Sequence, residues 1–94
     1  MRIRWLRKAL VNLNAEADYI ARDSPAAAAR IVEKITQSID GLRYHPAMGR
    51  PGRVPGTREL VIAGTPYIVP YRVRRDVVEI LRVFHASRKR PDRL

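Results

Sequence analysis

Along the chain the apolar positions change period twice, and those changes mark out the elements. Ile3 and Trp5 alternate with Arg2 and Arg4, the period-two signature of a short strand. From Lys8 to about Arg22 the spacing lengthens. Leu10, Leu13, Ala17 and Ile20 recur at three, four and three residues, which predicts one apolar side of an amphipathic helix. Asp23-Ser24-Pro25 then breaks and restarts the chain. The Ser24 hydroxyl can cap a second helix, and Pro25 suits its first position, where a missing N–H costs nothing. Ala28, Ile31, Ile35, Ile39 and Leu42 carry that helix to about Arg43, because a residue before proline, as in His45-Pro46, disfavours helical backbone. On so small a chain both stripes are expected to cover a sheet.

Residues 46 to 56 hold three prolines and three glycines and form a loop. Its glycines do not follow a dinucleotide or Walker pattern. The loop presents Arg50 and Arg53, with Arg58 just beyond it, on a partly rigid backbone suited to holding phosphate. Three strands follow, at residues 58 to 62, 67 to 74 and 77 to 85, rich in β-branched and aromatic residues. Arg74-Arg75-Asp76 joins the last two as a tight hairpin. Pro70 has no N–H for a ladder and marks an edge position or a bulge. The order β-α-α-β-β-β predicts an α+β domain over residues 1–94, two helices on one face of a mainly antiparallel four-stranded sheet.

Ninety-four residues are enough for one hydrophobic core and too few for two. The longest apolar runs are four residues, far short of the roughly 18 to 20 of a membrane helix. With no signal-like apolar segment near Met1, the expected compartment is the cytoplasm. The absence of cysteine removes disulfides, thiolate zinc sites and thiol nucleophiles. His45 and His85, far apart and without evident carboxylate partners, do not suggest a metal site, and no cofactor is expected.

Charge alters this picture most. The formal net charge is +10, but residues 9 to 42 carry −2 and the rest of the chain +12. The excess therefore belongs to the first strand, the loop and the C-terminal third, and it is mostly arginine, whose planar fork matches phosphate and carboxylate. A nucleic acid or an acidic protein would satisfy it equally.

On the last strand, alternation places Ile80, Arg82 and Phe84 on one face and Leu81, Val83 and His85 on the other, unless the strand ends or bulges. His85, close to Ser87 and Arg88 and with Arg72 on the neighbouring strand, offers a phosphoryl-transfer constellation. The guanidinium groups would hold the scissile phosphate while the imidazole exchanges a proton. Glu59, alone between Asp40 and Asp76, is expected to pair with an arginine. Tyr67 and Tyr71 share a strand face, for base stacking or for the core.

Three runs carry a family likeness: Gly49-Arg50-Pro51-Gly52-Arg53-Val54-Pro55-Gly56-Thr57-Arg58-Glu59-Leu60-Val61, Thr65-Pro66-Tyr67-Ile68-Val69-Pro70-Tyr71-Arg72-Val73, and Ile80-Leu81-Arg82-Val83-Phe84-His85-Ala86-Ser87-Arg88. With Trp5, Ala9, Leu13, Ile20 and Pro25-Ala26-Ala27 at the start, the chain resembles the RelE/ParE toxin superfamily over essentially its whole length. The resemblance implies a β-α-α-β-β-β toxin of a type II toxin-antitoxin module, neutralised by a RelB- or ParD-like antitoxin that binds it. It also implies one of two targets, ribosome-bound mRNA cut by a basic cluster or DNA gyrase poisoned without hydrolysis. Carried over by position, Arg82 matches the basic residue of the final strand, and Arg50, Arg53 and Arg58 fall in the basic loop region. His85 lies one position beyond the nuclease subgroup's histidine. The first expectation is a ribosome-dependent endoribonuclease, with Arg58, Arg72 and Arg82 on the phosphate and His85 moving the proton. Arg50, Arg53, Arg88, Lys89 and Arg90 would bind the target. The alternatives are gyrase inhibition and a basic RNA-binding module without activity.

Overall fold

A computed structural model describes residues 1–87 and Leu94. The predicted stripes become α1 (Arg7–Ala21) and α2 (Pro25–Asp40), the latter extended by a 3-10 turn over Gly41–Arg43. Ser24 caps α2 as expected, its hydroxyl accepting the Ala27 N–H at 3.1 Å. Ile35, Ile39 and Leu42 are buried, each burial stabilising the fold by about 1.5–3 kcal/mol. In α1 the buried positions are Ala9, Leu13 and Glu16. Leu10, expected on that stripe, is 45% exposed, because the stripe's axis runs along residues 9, 13 and 16 and leaves Leu10 on its rim.

Where four strands were predicted, six form a single sheet: β1 (Arg2–Trp5), β2 (Arg50–Pro51), β3 (Arg58–Val61), β4 (Tyr67–Arg74), β5 (Val77–Ile80) and β6 (Phe84–His85). Their order is β1-β5-β4-β3-β2, with β6 also on β4. The β1–β5 pair is parallel and the others are antiparallel, so both helices lie in the crossover that follows β1. The helices cover one face of the sheet. Tyr71, Val69, Val78, Ile80, Leu60, Ile62 and Tyr67 meet Ala9, Leu13, Ile35 and Ile39 there in the core. Tyr67 and Tyr71 are thus core residues, and neither offers its face to a nucleobase.

The extra strand β6 arises from a bulge. Between the pairs Tyr71↔Ile80 and Ile68↔Phe84, β4 has two residues, Val69 and Pro70, whereas the facing strand has three, Leu81, Arg82 and Val83. One residue too many shifts the alternation. Pro70 sits opposite this interruption, where its missing N–H is tolerated, and its carbonyl accepts the Leu81 N–H at 3.0 Å. Beyond the bulge His85 lies on the helix face with Tyr67, and Phe84 lies on the open face with Ile68.

The loop of residues 46 to 57 is tied to this frame. The Tyr71 hydroxyl donates to the Pro46 carbonyl at 2.7 Å and accepts the Gly49 N–H at 2.9 Å. Burial pushes that hydroxyl above its usual range, partly opposed by the Gly49 N–H and the Arg58 charge. Gly49 admits no larger residue, since a Cβ there would lie 2.6 Å from the Tyr71 ring and 2.9 Å from the Glu59 carbonyl oxygen. No described helix is long and apolar enough to cross a membrane.

Candidate functional site

Sheet register gathers the basic residues of the open face around two acids. Arg4, Glu79 and Arg72 stand in one row across β1, β5 and β4, and Arg50 and Glu59 stand side by side on β2 and β3. Glu79 Oε1 lies 2.6 Å from Arg72 Nε and 3.8 Å from Arg74 Nε, and its Oε2 lies 4.0 Å from Arg4 Nη1. The hydrogen bond from Arg72, with the Arg72, Arg74 and Arg4 charges, holds this carboxyl below its usual range despite burial. Glu59, 5% exposed, takes Arg50 Nη2 at 3.2 Å and the Arg53 backbone N–H at 3.1 Å, the arginine pairing expected of it. Arg58 donates from Nη1 to the carbonyls of Gly49 at 2.8 Å and Ala47 at 3.4 Å, closing the loop onto β3.

His85 stands elsewhere. It lines a cleft of about 500 Å³ with Tyr19, Ile20, Ile31, Pro66, Tyr67 and Ser87, where the helix pair meets the ends of β4 and β6. Its ring meets Tyr67 edge to face at 5.5 Å, and Tyr67 donates its hydroxyl to Glu16 Oε1 at 3.1 Å. Nδ1 accepts the Ser87 N–H at 3.2 Å and lies 2.7 Å from the Ser87 hydroxyl oxygen, so a neutral His85 carries its proton on Nε2.

Arg82 has a third environment. Within the bulge it lies beside the start of α1, where it lines a cavity of about 360 Å³ with Arg7, Lys8, Val11 and Asn12. Its Nε is buried and makes no hydrogen bond among the described residues. Asn12 spends its Oδ1 on the Val83 N–H at 3.2 Å, which anchors the bulge to the helix.

The four residues expected to cooperate are therefore dispersed. Arg58 braces the loop, Arg72 pairs with Glu79, Arg82 faces α1 and His85 faces the cleft; among the described residues no hydrogen bond joins any two of them, and Arg82 and His85 line different cavities. Arg50 and Arg53 both engage Glu59, and Arg88, Lys89 and Arg90 lie outside the described residues. Sequence reasoning did not single out Glu79, Arg7, Lys8 or Asn12. The period-two recurrence of Arg2, Arg4, Arg72, Arg74 and Glu79 on predicted strands was the available signal for the first. For the others only the Arg7-Lys8 pair at a helix start was visible.

Comparison with known proteins agrees with the fold. A family model described as the ParE toxin of the type II toxin-antitoxin system, parDE, matches residues 3–90. The chain is 53% identical over 90 residues to the putative toxin Y4kP of Sinorhizobium fredii, covering 96% of this chain and 93% of that one. It is 38% identical over 84 residues to the toxin RelE2 of Caulobacter vibrioides, covering 89% and 93%. Among solved structures, a chain of the chromosomal ParDE TA system from P. aeruginosa superposes with a TM-score of 0.83 at 32% identity, covering 93% of this chain and 97% of that one.

Proposed function

From its membership of the ParE toxin family of type II toxin-antitoxin systems, which implies an antitoxin partner, we propose that this chain arrests growth as a gyrase inhibitor rather than as a ribosome-dependent endoribonuclease. The observation that carries this reading is the dispersal of Arg58, Arg72, Arg82 and His85. Cutting a phosphodiester requires the groups that hold the phosphate and the group that moves the proton to converge within hydrogen-bond reach of one bond. Here Arg72 and Arg58 are already engaged within the chain, and His85 and Arg82 face separate cavities. Inhibition by binding needs only a rigid surface of fixed charge, and the tied loop with the arginine-lined sheet supplies one.

The endoribonuclease reading draws on His85, whose imidazole lines an open cleft beside Ser87, and on the likeness to a relative named RelE2. One preparation separates the two. Purified chain added to gyrase with supercoiled DNA is expected to accumulate cleaved complexes or to stop supercoiling, and in a translating extract to leave mRNA whole. Cleaved mRNA with unaffected gyrase would overturn the proposal, and His85→Ala would then test the histidine.

A further inference from the structure

We propose that the cavity at the start of α1 is an anion site that takes a phosphate group through Arg82, Arg7, Lys8 and Asn12. Its support is independent of which target the toxin has. Three cationic side chains line one cavity of about 360 Å³, and none of them pairs with a carboxylate among the described residues. The guanidinium of Arg82 is partly sunk into this wall, with its Nε–H buried and without a partner among the described residues. Buried donors without partners are rare in folded chains, and this one shows that the described residues of the cavity wall are short of acceptors.

The remaining polar group completes the same pattern. Because Asn12 Oδ1 is committed to the Val83 N–H, Asn12 can offer the cavity only its amide N–H donors. The backbone adds to it: α1 begins without a side-chain cap at Leu6 and with no acid in its first turn. The positive end of the helix is therefore left uncompensated in the turn that carries Arg7 and Lys8. Topology explains why these groups meet. β1 and β5 run parallel, Leu6 N–H bonds the Ile80 carbonyl at 3.0 Å, and the chain leaves both strands at the same end. One exit becomes the N-terminus of α1 and the other the bulge bearing Arg82. Anions are commonly held where parallel strands end and a helix begins.

A phosphate fits this donor set better than a carboxylate. Its tetrahedral oxygens can take a guanidinium fork, an ammonium and an amide at once, and its charge of up to about −2 answers three cations more fully than the single charge of a carboxylate. The group could belong to a free nucleotide or to a polynucleotide backbone. Both are tested by NMR titration of the full chain, following the Arg7 and Lys8 amides and the Arg82 Nε–H. The probes are inorganic phosphate, adenosine monophosphate, an oligothymidylate without terminal phosphates, and a polyglutamate peptide.

Saturable shifts concentrated on these three groups, with affinity weakened tenfold or more in Arg82→Gln and in the exposed pair Arg7→Gln/Lys8→Gln, are expected. The exposed Arg30→Gln on α2 serves as the control and should bind as the parent does. Response to the oligothymidylate, with a salt slope lowered by about one in Arg82→Gln, assigns the group to a nucleic-acid strand. Response to the two small phosphates alone assigns it to a free nucleotide. Shifts scattered over all basic residues, equal loss in Arg30→Gln, or binding of polyglutamate alone would overturn the site.

Discussion

Around Glu79 three guanidinium groups share one carboxylate, whereas around the cavity at the start of α1 Arg7, Lys8 and Arg82 meet no carboxylate among the described residues. Both regions are arginine-rich, and net charge does not distinguish them. The difference lies in where compensation comes from. On the open sheet face, Glu79 and Glu59 are nearly buried and hold their arginines in fixed orientations, so those charges brace the fold as well as colour its surface. At the cavity the described residues supply donors and no carboxylate. Basic residues of one protein can thus have separate duties, and local partners separate them more sharply than charge counts.

The comparison can be broken most severely at the loop that the sheet face supports. Gly49→Ala forces a methyl group into the Tyr71 ring and the Glu59 carbonyl, and a loss of roughly 2–4 kcal/mol is expected in urea unfolding. A loss under about 0.5 kcal/mol would show that the loop yields and that its arginines are not held.

Next in size is Glu79→Gln, which leaves Arg72 without its anion; a loss of roughly 2–3 kcal/mol at neutral pH is expected. The sign of the pH dependence follows from the depressed carboxyl. Its folded pKa lies below the unfolded value of about 4.5, so Glu79 contributes stability above that pH and loses it as pH falls through the folded value. The acid limb of the parent's stability curve should be shallower in Glu79→Gln. Superimposable acid limbs would remove Glu79 from the account of how the face is held.

Among its arginines, distance sets the order: Arg72→Gln should cost more than Arg74→Gln, and Arg4→Gln, the most exposed member, within about 0.5 kcal/mol. Thermal melts of the three would reveal any other ranking.

The smallest effect belongs to the cavity and runs the other way. Arg82→Gln removes a charge that has no partner among the described residues and stands near Arg7 and Lys8, so stability is expected to stay level or rise by about 0.5 kcal/mol. A loss above about 1.5 kcal/mol would place Arg82 with the bracing arginines.

Much of the fold could be read in advance. The capped start of α2, the stripe through Ile35, Ile39 and Leu42, and the alternating strand from Tyr67 follow from local periodicity and capping chemistry, which act over a few residues. Pro70 announced an interruption as well, although not what it would do. The two-residue strands were not legible, because two residues carry no period. The pairing of Glu59 could be anticipated because it is an isolated acid among arginines. The convergence of three arginines on Glu79 could not, since it depends on which strands are neighbours.

What the sequence determined by itself, then, is the α+β class, the toxin-family likeness, the acidic helical pair and the basic remainder; each rests on local spacing, composition or motif. Tertiary structure decided how the candidate residues are grouped. One extra residue between Ile80 and Phe84 turns His85 toward Tyr67, while Arg82, inside the interruption, lines the cavity beside α1. Side chains on a strand alternate with period two, so a single-residue slip reverses every face beyond it. That slip is set by pairing between segments far apart in the chain, which no local pattern records.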